Sequence, residues 1–389
     1  DGAFFKWDLS NGAGTRAAVI SGAPTASRHL LVSTNRHVFL FGTETTIGTT
    51  SDQDDLFLRF ASQETLSTWG PSSINTAGSF RIQDGSKIVT AVRSRGSILV
   101  WTDTSLHSLQ FVGAPFVFGI SQLGANCGAV SPHSAVDVNG TTFWMSQNAF
   151  YMFDGGIKKM PCSVQDYVFD DFSTTQQQLV YTGINTDFNE VSWFYASKNS
   201  NFIDRNVTYN YLENVWYTNN LARTTWLDRG VYELPYATEY EPTETGTVPT
   251  VLGVTDGASV VYLHEDGFNN DTAALPCFLQ SGDVDIEDGE QILSVTELIT
   301  YTANNTNTNV ISGCTRGTNS TTAVAHISNK KVTNYSTTRI NRSTVNPTTT
   351  KINTRGRGRQ ANILISSEDL NDTWRFGTLR LEIKPDGGR

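Results

Sequence analysis

The sequence predicts an all-β fold of the β-propeller class, with five to seven blades and six favoured, plus an additional antiparallel β segment at the C-terminus. Three observations lead to this prediction. One stretch of the chain has the pattern of four short antiparallel strands, that pattern recurs loosely elsewhere, and long helical periodicity is missing. A compact four-stranded meander is the unit from which propellers are built.

The clearest unit lies at residues 133–160. Asn139-Gly140 separates two runs of alternating apolar and polar residues. This dipeptide is typical of a type I′ hairpin turn, because both central residues of that turn have positive φ. Gln147-Asn148 and Asp154-Gly155-Gly156 supply two further turns. The stretch therefore predicts four short strands and leaves no room for a helix.

The same unit recurs with little sequence identity between copies. Turn signals divide strand-like runs at Asn35-Arg36, at Ser94-Arg95-Gly96 and at Asp256-Gly257, and residues 178–216 contain four more such runs. The units start near residues 30, 87, 133, 178 and 251. Several of these spacings are close to the roughly 40–50 residues of a propeller blade. The repeat is therefore architectural, unlike a conserved motif such as WD40.

Composition agrees with many strands joined by many turns. Thr, Ser, Asn and Gly are abundant, and aromatic residues make up 11% of the chain. The net charge is −10, which argues against a general nucleic-acid binder, since such a protein needs a basic face to displace counterions. A protein that lets DNA slide past an acidic wall stays possible. No run of 18 apolar residues occurs, so we expect no membrane-spanning segment.

The predicted domain organisation has three parts. Residues 1–27 form an N-terminal connecting segment, residues 28–300 the β-propeller, and residues 301–389 a C-terminal β segment. Near the end, Leu379, Leu381 and Ile383 alternate with charged residues, as in a strand with one apolar face. We expect this segment to be able to close the ring by pairing with the first strands. The chain begins Asp1-Gly2 without a methionine, so the true N-terminus is expected to be missing.

No pattern of catalytic, cofactor-binding or metal-ligating residues stands out. The nucleophile elbow G-x-S-x-G is not found, the six histidines are scattered, and no Cys/His ligand spacing occurs. The acidic run at 283–290 departs from a calcium loop in the position of its glycine and lacks the final glutamate. The boxes S-x-D-x-G-x-x-W of sialidase-type propellers are also not found. The prediction is therefore a protein that is not an enzyme and has no cofactor.

Three arginines alternate with glycine at Arg355, Arg357 and Arg359. In a strand, this spacing places the three guanidinium groups on one face and leaves the other face open to a close backbone. Guanidinium groups bind phosphates or carboxylates bidentately. We interpret these arginines as candidate assembly contacts with a neighbouring subunit, with pairing to the chain's own acidic residues as the alternative.

Several stretches, taken in order, resemble a known family. They are ILVWTDTSLHSLQFVGA at 98–114, QLGANCGAVSPHSAVDVNGTTFWMSQNAFYMFDGG at 122–156, YVFDD at 167–171, FNEVSWFYA at 188–196, YNYLENVWYT at 209–218, and the ending RGRGRQ…WRFGTLRLEIKPDGGR. The chain resembles the DNA-stabilisation or tail-nozzle (tail tubular) proteins of tailed bacteriophages, chiefly of short-tailed phages. The resemblance covers roughly residues 58 to 389.

The resemblance implies a structural protein of the virion. Such proteins form a ring-shaped homo-oligomer, usually a hexamer, below the portal and adaptor, where they extend and close the DNA channel. The implied partners are further copies of the chain, the head-to-tail connector, tail fibre or needle proteins, and double-stranded DNA in weak contact. No catalytic residue carries over from the family. The implied location is the phage tail.

Two other functions remain open at this stage. One is a propeller carbohydrate- or receptor-binding module of a tail tip or cell surface, in which exposed aromatic residues would stack on sugar rings. The other is a sialidase-like glycoside hydrolase, for which a pair of carboxylates flanking the bond would be needed.

Overall fold

A computed structural model describes residues 2–241, 258–267, 269–270, 273–280, 293–299, 309–316, 339–345, 352–358, 361–367 and 380–385. The chain divides into two compact units, Asp1–His264 and Glu265–Arg389. The described residues are almost entirely strands and turns. They contain one α-helix, α1 (Gln165–Asp171), and three 3₁₀ helices at Leu9–Asn11, Thr50–Asp52 and Thr174–Leu179.

The strands of the first unit are β1 (Phe5–Lys6), β2 (Ala18–Val19), β3 (His29–Val32), β4 (Val38–Phe41), β5 (Phe57–Phe60), β6 (Gly78–Arg81), β7 (Ile88–Ser94), β8 (Ser97–Thr102), β9 (Ser105–Gly113), β10 (Val117–Ala125), β11 (Ala135–Val138), β12 (Thr141–Met145), β13 (Phe150–Phe153), β14 (Ile157–Lys159), β15 (Tyr181–Asn185), β16 (Glu190–Tyr195), β17 (Arg205–Asn210), β18 (Val215–Asn219), β19 (Thr225–Leu227), β20 (Tyr236–Glu241) and β21 (Ala258–Leu263).

These strands form consecutive antiparallel meanders. Sheets 1 to 4 each contain four strands in chain order, from β3–β6 to β15–β18, and sheet 5 contains the three strands β19–β21. The first strand of each sheet lies beside the first strand of the next, from β3 through β7, β11 and β15 to β19. Sheets that meet along their first strands in this way are the blades of a β-propeller. The predicted fold class is confirmed, and the described part of the first unit contains five blades.

The predicted starts of the first four blades lie within three residues of the observed first strands, which begin at His29, Ile88, Ala135 and Tyr181. The fifth differs, because its first strand begins at Thr225. The sequence analysis assigned the strand-like residues after Gly257 to a new unit. In the structure they form β21, the last strand of the fifth blade. β19 is only three residues long, so it carries little strand signal of its own. Residues 251–257 of the predicted fifth unit, including the predicted turn at Asp256-Gly257, lie outside the described residues.

Apolar layers fill the space between the blades. An extensive layer lies between sheets 3 and 4 and includes Phe150, Trp193 and Val207, all fully buried. Indole N–H groups hydrogen-bond across the blade boundaries. Trp193 Nε1 donates to the Ser134 carbonyl at 3.0 Å, and Trp226 Nε1 donates to the Ile184 carbonyl at 2.6 Å. These tryptophans therefore bury a large apolar surface without leaving a polar atom unsatisfied.

The hairpin between β11 and β12 has the turn that the sequence predicts. Asn139 and Gly140 have φ values of 52° and 84°, and Val138 pairs directly with Thr141. Asp137 Oδ1 accepts a hydrogen bond from the Gly140 N–H at 2.9 Å. Two positive φ angles in a two-residue loop define a type I′ turn.

Replacement of Gly140 by valine is expected to lower the free energy of unfolding by about 1–3 kcal/mol. A β-branched residue is strained at positive φ, and its Cβ would also overlap the Arg95 side chain, which lies over this turn. Chemical denaturation of the full chain measures the loss. Gly140→Asn is the matched control, because asparagine tolerates this backbone region and should lose clearly less. A valine variant as stable as the asparagine variant would contradict the turn assignment.

The strands of the second unit are β22 (Asn269–Asn270), β23 (Ala273–Ala274), β24 (Cys277–Gln280), β25 (Leu293–Ile299), β26 (Asn309–Arg316), β27 (Arg339–Val345), β28 (Ile352–Gly358), β29 (Ala361–Ser367) and β30 (Arg380–Pro385). They form a pair β22-β23, a sheet in the order β24-β29-β26-β27 and a sheet in the order β28-β25-β30, all antiparallel. The C-terminal segment is therefore an antiparallel β segment.

The division between the two units differs from the predicted domain boundary. The units divide after His264, whereas the sequence analysis placed the boundary after residue 300. Strand pairing links residues on both sides of position 300, because β24 pairs with β29, and β25 pairs with β28 and β30. The last strand, β30, pairs with β25 within the second unit. Closure of the ring by this segment stays a prediction.

Candidate functional site

The predicted assembly contacts lie on an edge strand. Arg355 and Arg357 belong to β28, and Arg359 lies outside the described residues. In the order β28-β25-β30, the described strands give β28 a single hydrogen-bonded neighbour. An edge strand presents unpaired backbone groups to which another chain can add. The strand prediction holds for the two described arginines.

The pairing of β28 with β25 contains an irregularity at the first of these arginines. Gly356 pairs with Val295 and Asn353 with Glu297, so Thr354 and Arg355 together face the single residue Thr296. Two residues opposite one are the pattern of a β-bulge, which bends the strand and changes the direction of its side chains. The placement of Arg355, Arg357 and Arg359 on one face of a regular strand therefore stays a prediction from the sequence.

A second candidate site is a cavity of about 150 Å³ between sheets 1 and 2. It opens where the β3–β4 turn and the β7–β8 turn lie next to each other. Its apolar lining comes from Ile98, Leu109, Phe111 and Phe118. The other lining residues come from the two turns and are mostly polar, namely Ser33, Thr34, Asn35, Arg93, Ser94, Arg95, Gly96 and Ser97.

The two arginines of this cavity have no acidic partner. Arg93 and Arg95 are exposed, and neither makes an ion pair with any described residue. Ser94 lies between them, is only 4% exposed, and its hydroxyl has no hydrogen-bond partner. The register places the Ser94 side chain on the sheet face opposite Ile98, because Ser94 pairs with Ser97 and Arg93 pairs with Ile98.

The rim of the cavity carries an aromatic ring. Phe111 is 46% exposed and packs edge-on against Phe118, with ring centroids 5.4 Å apart. Phe118 is buried and belongs to the apolar layer between sheets 1 and 2, so it holds Phe111 in place. The Phe111 ring also lies 6.2 Å from the His37 ring, measured between centroids, so it is held between two rings and partly accessible to solvent.

The sequence named both turns of the cavity but not the cavity itself. Asn35-Arg36 and Ser94-Arg95-Gly96 were identified as turns, yet nothing in a single sequence states that two turns about 60 residues apart meet. Arg95 was the one unusual residue that the sequence offered at these turns. It occupies the first central position of its turn, as Asn139 does in the next blade. The first central position of a type I′ turn usually holds Asn, Asp or Gly.

The five described histidines lie in or beside five different strands. His29 and His107 lie in β3 and β9, and His37, His133 and His264 lie beside strands. Burial lowers the pKa of all five. His326 lies outside the described residues. In the part of the chain that the structure describes, no cluster of three or more His, Cys, Asp or Glu side chains is arranged as a metal site.

A buried charge network is present in the fifth blade. Arg223 is buried, forms an ion pair with Glu239 and lies over the ring of Tyr262, 4.1 Å from its centroid. Arg223 Nε donates a hydrogen bond to His264 Nε2 at 2.9 Å. Burial first, and the Arg223 charge second, lower the pKa of His264 to about 4. The neutral imidazole therefore acts as a hydrogen-bond acceptor at neutral pH.

This network predicts a loss of stability in acid. Between pH 6.5 and about 4 the unfolded chain protonates His264 while the folded chain does not. Stability therefore falls as pH falls through that window. The contribution is about 1–3 kcal/mol, after a discount for the partial exposure of the ring. Urea denaturation at pH 7 and pH 4.5 should show a smaller difference for His264→Gln than for the native chain. Equal differences would contradict the assigned environment.

No helix of the described residues has the length and apolar character that crossing a membrane requires. The sheets define the class of protein, a β-propeller followed by an antiparallel β unit. No family model matches the chain, and no curated protein matches it either. Among solved structures, the chain is similar to the N-terminal domain of Nup159, with 11% identity, a TM-score of 0.32, and coverage of 67% of this chain and 68% of that chain. This likeness is too distant to bear on function.

Proposed function

We propose that the chain is a structural subunit of a tailed-bacteriophage virion, which forms a ring-shaped homo-oligomer of six copies that extends and closes the DNA channel of the tail. The observation that carries this proposal is the edge strand β28, which holds Arg355 and Arg357 in a chain of net charge −10. A cationic edge on an acidic protein favours contact with another copy of the same protein.

Four of the six stretches that resemble tail-nozzle proteins overlap strands of the propeller. The stretch 98–114 spans nearly all of β8 and all of β9, and 122–156 contains β11, β12 and β13. The stretch 188–196 contains β16, and 209–218 spans the end of β17 and most of β18. A relative that shares these stretches in this order would share the blades that they form. The resemblance therefore concerns the scaffold, and it supports an architectural role.

Apolar side chains exposed at both ends of the blade series also support assembly. Leu30 and Val32 of β3 are exposed on sheet 1, and Leu227, Val261 and Leu263 are exposed on sheet 5. Contiguous exposed apolar surface commonly marks an interaction site. Leu30 pairs with Leu40, and Val32 pairs with Val38. Leu40 and Val38 are buried, whereas Leu30 and Val32 are exposed. The residues that bury β4 therefore do not extend over β3.

The charge balance fits a channel through which DNA must pass. Tight binding of phosphates would slow ejection, and an acidic wall reduces adhesion of a polyanion. A closed ring of rigid propeller subunits suits a tail component that has to withstand the pressure of a packaged genome. Only weak contact with double-stranded DNA is expected.

The proposal predicts that Arg355, Arg357 and Arg359, replaced together by serine, will lower the yield of rings and of assembled tails. Individual exposed ion pairs contribute about 0–1 kcal/mol, but partly desolvated pairs repeated around a ring add up. Light scattering on the purified chain and counts of tailed particles in complemented phage measure the loss. Weak DNA binding should be unchanged.

The matched control is Arg16→Ser, because Arg16 is exposed and belongs to the N-terminal segment. It should assemble as the native chain does. Normal assembly of the triple variant together with leakage of DNA from the capsid would place the arginines at the channel wall. That result would contradict their role in assembly.

A further inference from the structure

We propose that neighbouring copies of the chain contact each other through two different surfaces at the rim of the propeller. One surface is the projecting β9–β10 hairpin of blade 2, and the other is the β17–β18 turn of blade 4 in the next copy. This inference rests on the assembly of copies proposed above and names the surfaces that meet in it. It concerns the first unit alone and does not use β28.

The β9–β10 hairpin extends beyond the rest of sheet 2. β8 pairs with β9 only as far as Gln110, so Phe111 and Gly113 pair with β10 alone. Three residues of a strand span about 10 Å, which is the length of this projection. Its end exposes Phe111, Val112 and Phe116, and Phe116 is 77% exposed. The hairpin therefore presents an apolar projection to its surroundings.

The sequence around this hairpin is poor in charge. No Asp, Glu, Lys or Arg occurs between Asp103 and Asp137, although charged residues make up 17% of the chain. Arg93 lines the same cavity as Phe111, is exposed and forms no ion pair with a described residue. A surface that fits this one is therefore apolar, with a negative charge beside the apolar contact.

The β17–β18 turn of blade 4 has that composition. Leu212 and Val215 are exposed there, and Leu212 is 74% exposed. Phe188 of the β15–β16 turn is also exposed, and Asn210 Nδ2 at the end of β17 donates to the Phe188 carbonyl at 2.9 Å. Glu213 is exposed and forms no ion pair with a described residue. Three apolar side chains and one acidic side chain thus form a surface complementary to the hairpin.

Both surfaces lie at the rim of the propeller. First strands surround the axis of a propeller, so the turns that join third and fourth strands lie far from that axis. The hairpin and the β17–β18 turn are such turns of blades 2 and 4, with blade 3 between them. A contact that joins two different surfaces of identical copies is heterologous, and it generates a ring if the rotation closes.

The two surfaces also lie on the same side of the propeller. The Arg95 side chain lies over Gly140, so the first turns of blades 2 and 3 are neighbours. A parallel bridge between His133 and Tyr181 shows that the chain enters blades 3 and 4 in the same direction. In an antiparallel meander, the third turn lies at the same end as the first. Contacts at equal height favour a flat closed ring over a helical filament.

Charge reversal tests the contact in the purified full chain, with assembly followed by analytical ultracentrifugation. Arg93→Glu and Glu213→Arg each place like charges on the two sides of the contact. Each should raise the concentration that gives half-assembly at least about tenfold. Arg16→Glu makes the same change of charge at an exposed residue of the N-terminal segment and should assemble as the native chain does. All three residues are exposed, so thermal unfolding should be unchanged.

An equal mixture of the two reversed variants gives a sharper result. When Arg93→Glu copies alternate with Glu213→Arg copies, every contact again joins one basic and one acidic side chain. The mixture should therefore assemble as readily as the native chain, although neither variant does so alone. Mass spectrometry of the closed particles should find the two variants in equal numbers.

Removal of apolar side chains tests the other part of the contact. Phe116→Ser and Leu212→Ser should each weaken assembly, because each removes one exposed apolar side chain from one of the two surfaces. Ile74→Ser is the matched control, since Ile74 is even more exposed but belongs to blade 1 and to neither surface. It should leave assembly unchanged. Equal weakening by all three variants would indicate non-specific apolar association and would overturn the proposed contact.

The results separate this inference from the function on which it rests. A native chain that assembles, together with reversed variants that assemble equally well, would overturn the contact and leave the ring to other surfaces. A native chain that stays monomeric would overturn both. A mixture that stays unassembled, when both single variants fail to assemble, would overturn the pairing of Arg93 with Glu213.

Discussion

Trp193→Ala is expected to lower the free energy of unfolding by about 3–5 kcal/mol. Trp193 is fully buried in β16, at the centre of the apolar layer between sheets 3 and 4. Its ring lies 4.9 Å from that of Phe150 and 5.9 Å from that of Trp216, measured between centroids. Alanine would remove these contacts and leave a cavity, because the surrounding β-sheets cannot collapse into it. Urea denaturation of the full chain measures the loss.

Two further variants sharpen this prediction. Trp193→Phe keeps an aromatic ring, and the Ser134 carbonyl keeps its hydrogen bond from the Met145 N–H, so the loss should be smaller. Trp7→Ala removes the same side chain from a site that is 45% exposed, and we expect it to change stability by less than about 1 kcal/mol. Equal losses for Trp193→Ala and Trp7→Ala would contradict the packing of sheet 3 against sheet 4.

Gly128→Ala is expected to cost about 2–4 kcal/mol through backbone overlap. A Cβ at this position would overlap the carbonyl group of Asp103 and the backbone nitrogen of Thr104. The residues on either side are tied to the same turn. The Cys127 N–H donates to the Thr104 carbonyl at 3.0 Å, and the Ala129 N–H donates to the Thr102 carbonyl at 3.2 Å. To accommodate a methyl group, the segment would have to move away and break both hydrogen bonds.

The matched control is Gly156→Ala, because a Cβ there would meet nothing within 4 Å. That variant should be as stable as the native chain or slightly more stable, since alanine restricts the unfolded state. Denaturation curves of both variants decide the matter. A Gly128→Ala variant as stable as Gly156→Ala would show that the segment between blades 2 and 3 is not held against the β8–β9 turn.

The blades could be predicted from the sequence because their turns carry local signals. Asn139-Gly140 and Arg95-Gly96 both form two-residue turns in which each residue has a positive φ, and the strands end and begin on either side of them. A meander joins neighbours in sequence, so turn positions almost determine the pairing within a sheet. These turn signals are the reason that the predicted starts of the first four blades agree with the structure.

The remaining features depend on contacts between distant residues. β25 pairs with β28 and β30, which lie far along the chain, and no short-range pattern states such a partner. The cavity likewise joins turns from two different blades. Nothing in the sequence distinguishes Arg93 and Arg95 from other arginines. Only the structure shows that neither forms an ion pair with a described residue. The bulge at Arg355 shows how pairing can also disturb a regular pattern.

Electron microscopy of the purified full-length chain tests the central claim most directly. The account predicts ring-shaped particles with an axial hole and sixfold symmetry. It also predicts that each copy contains a disc of antiparallel blades, with β28 near the boundary between copies. Monomers at concentrations at which phage tails assemble, or closed particles without an axial hole, would contradict the proposal that this propeller protein forms a DNA channel.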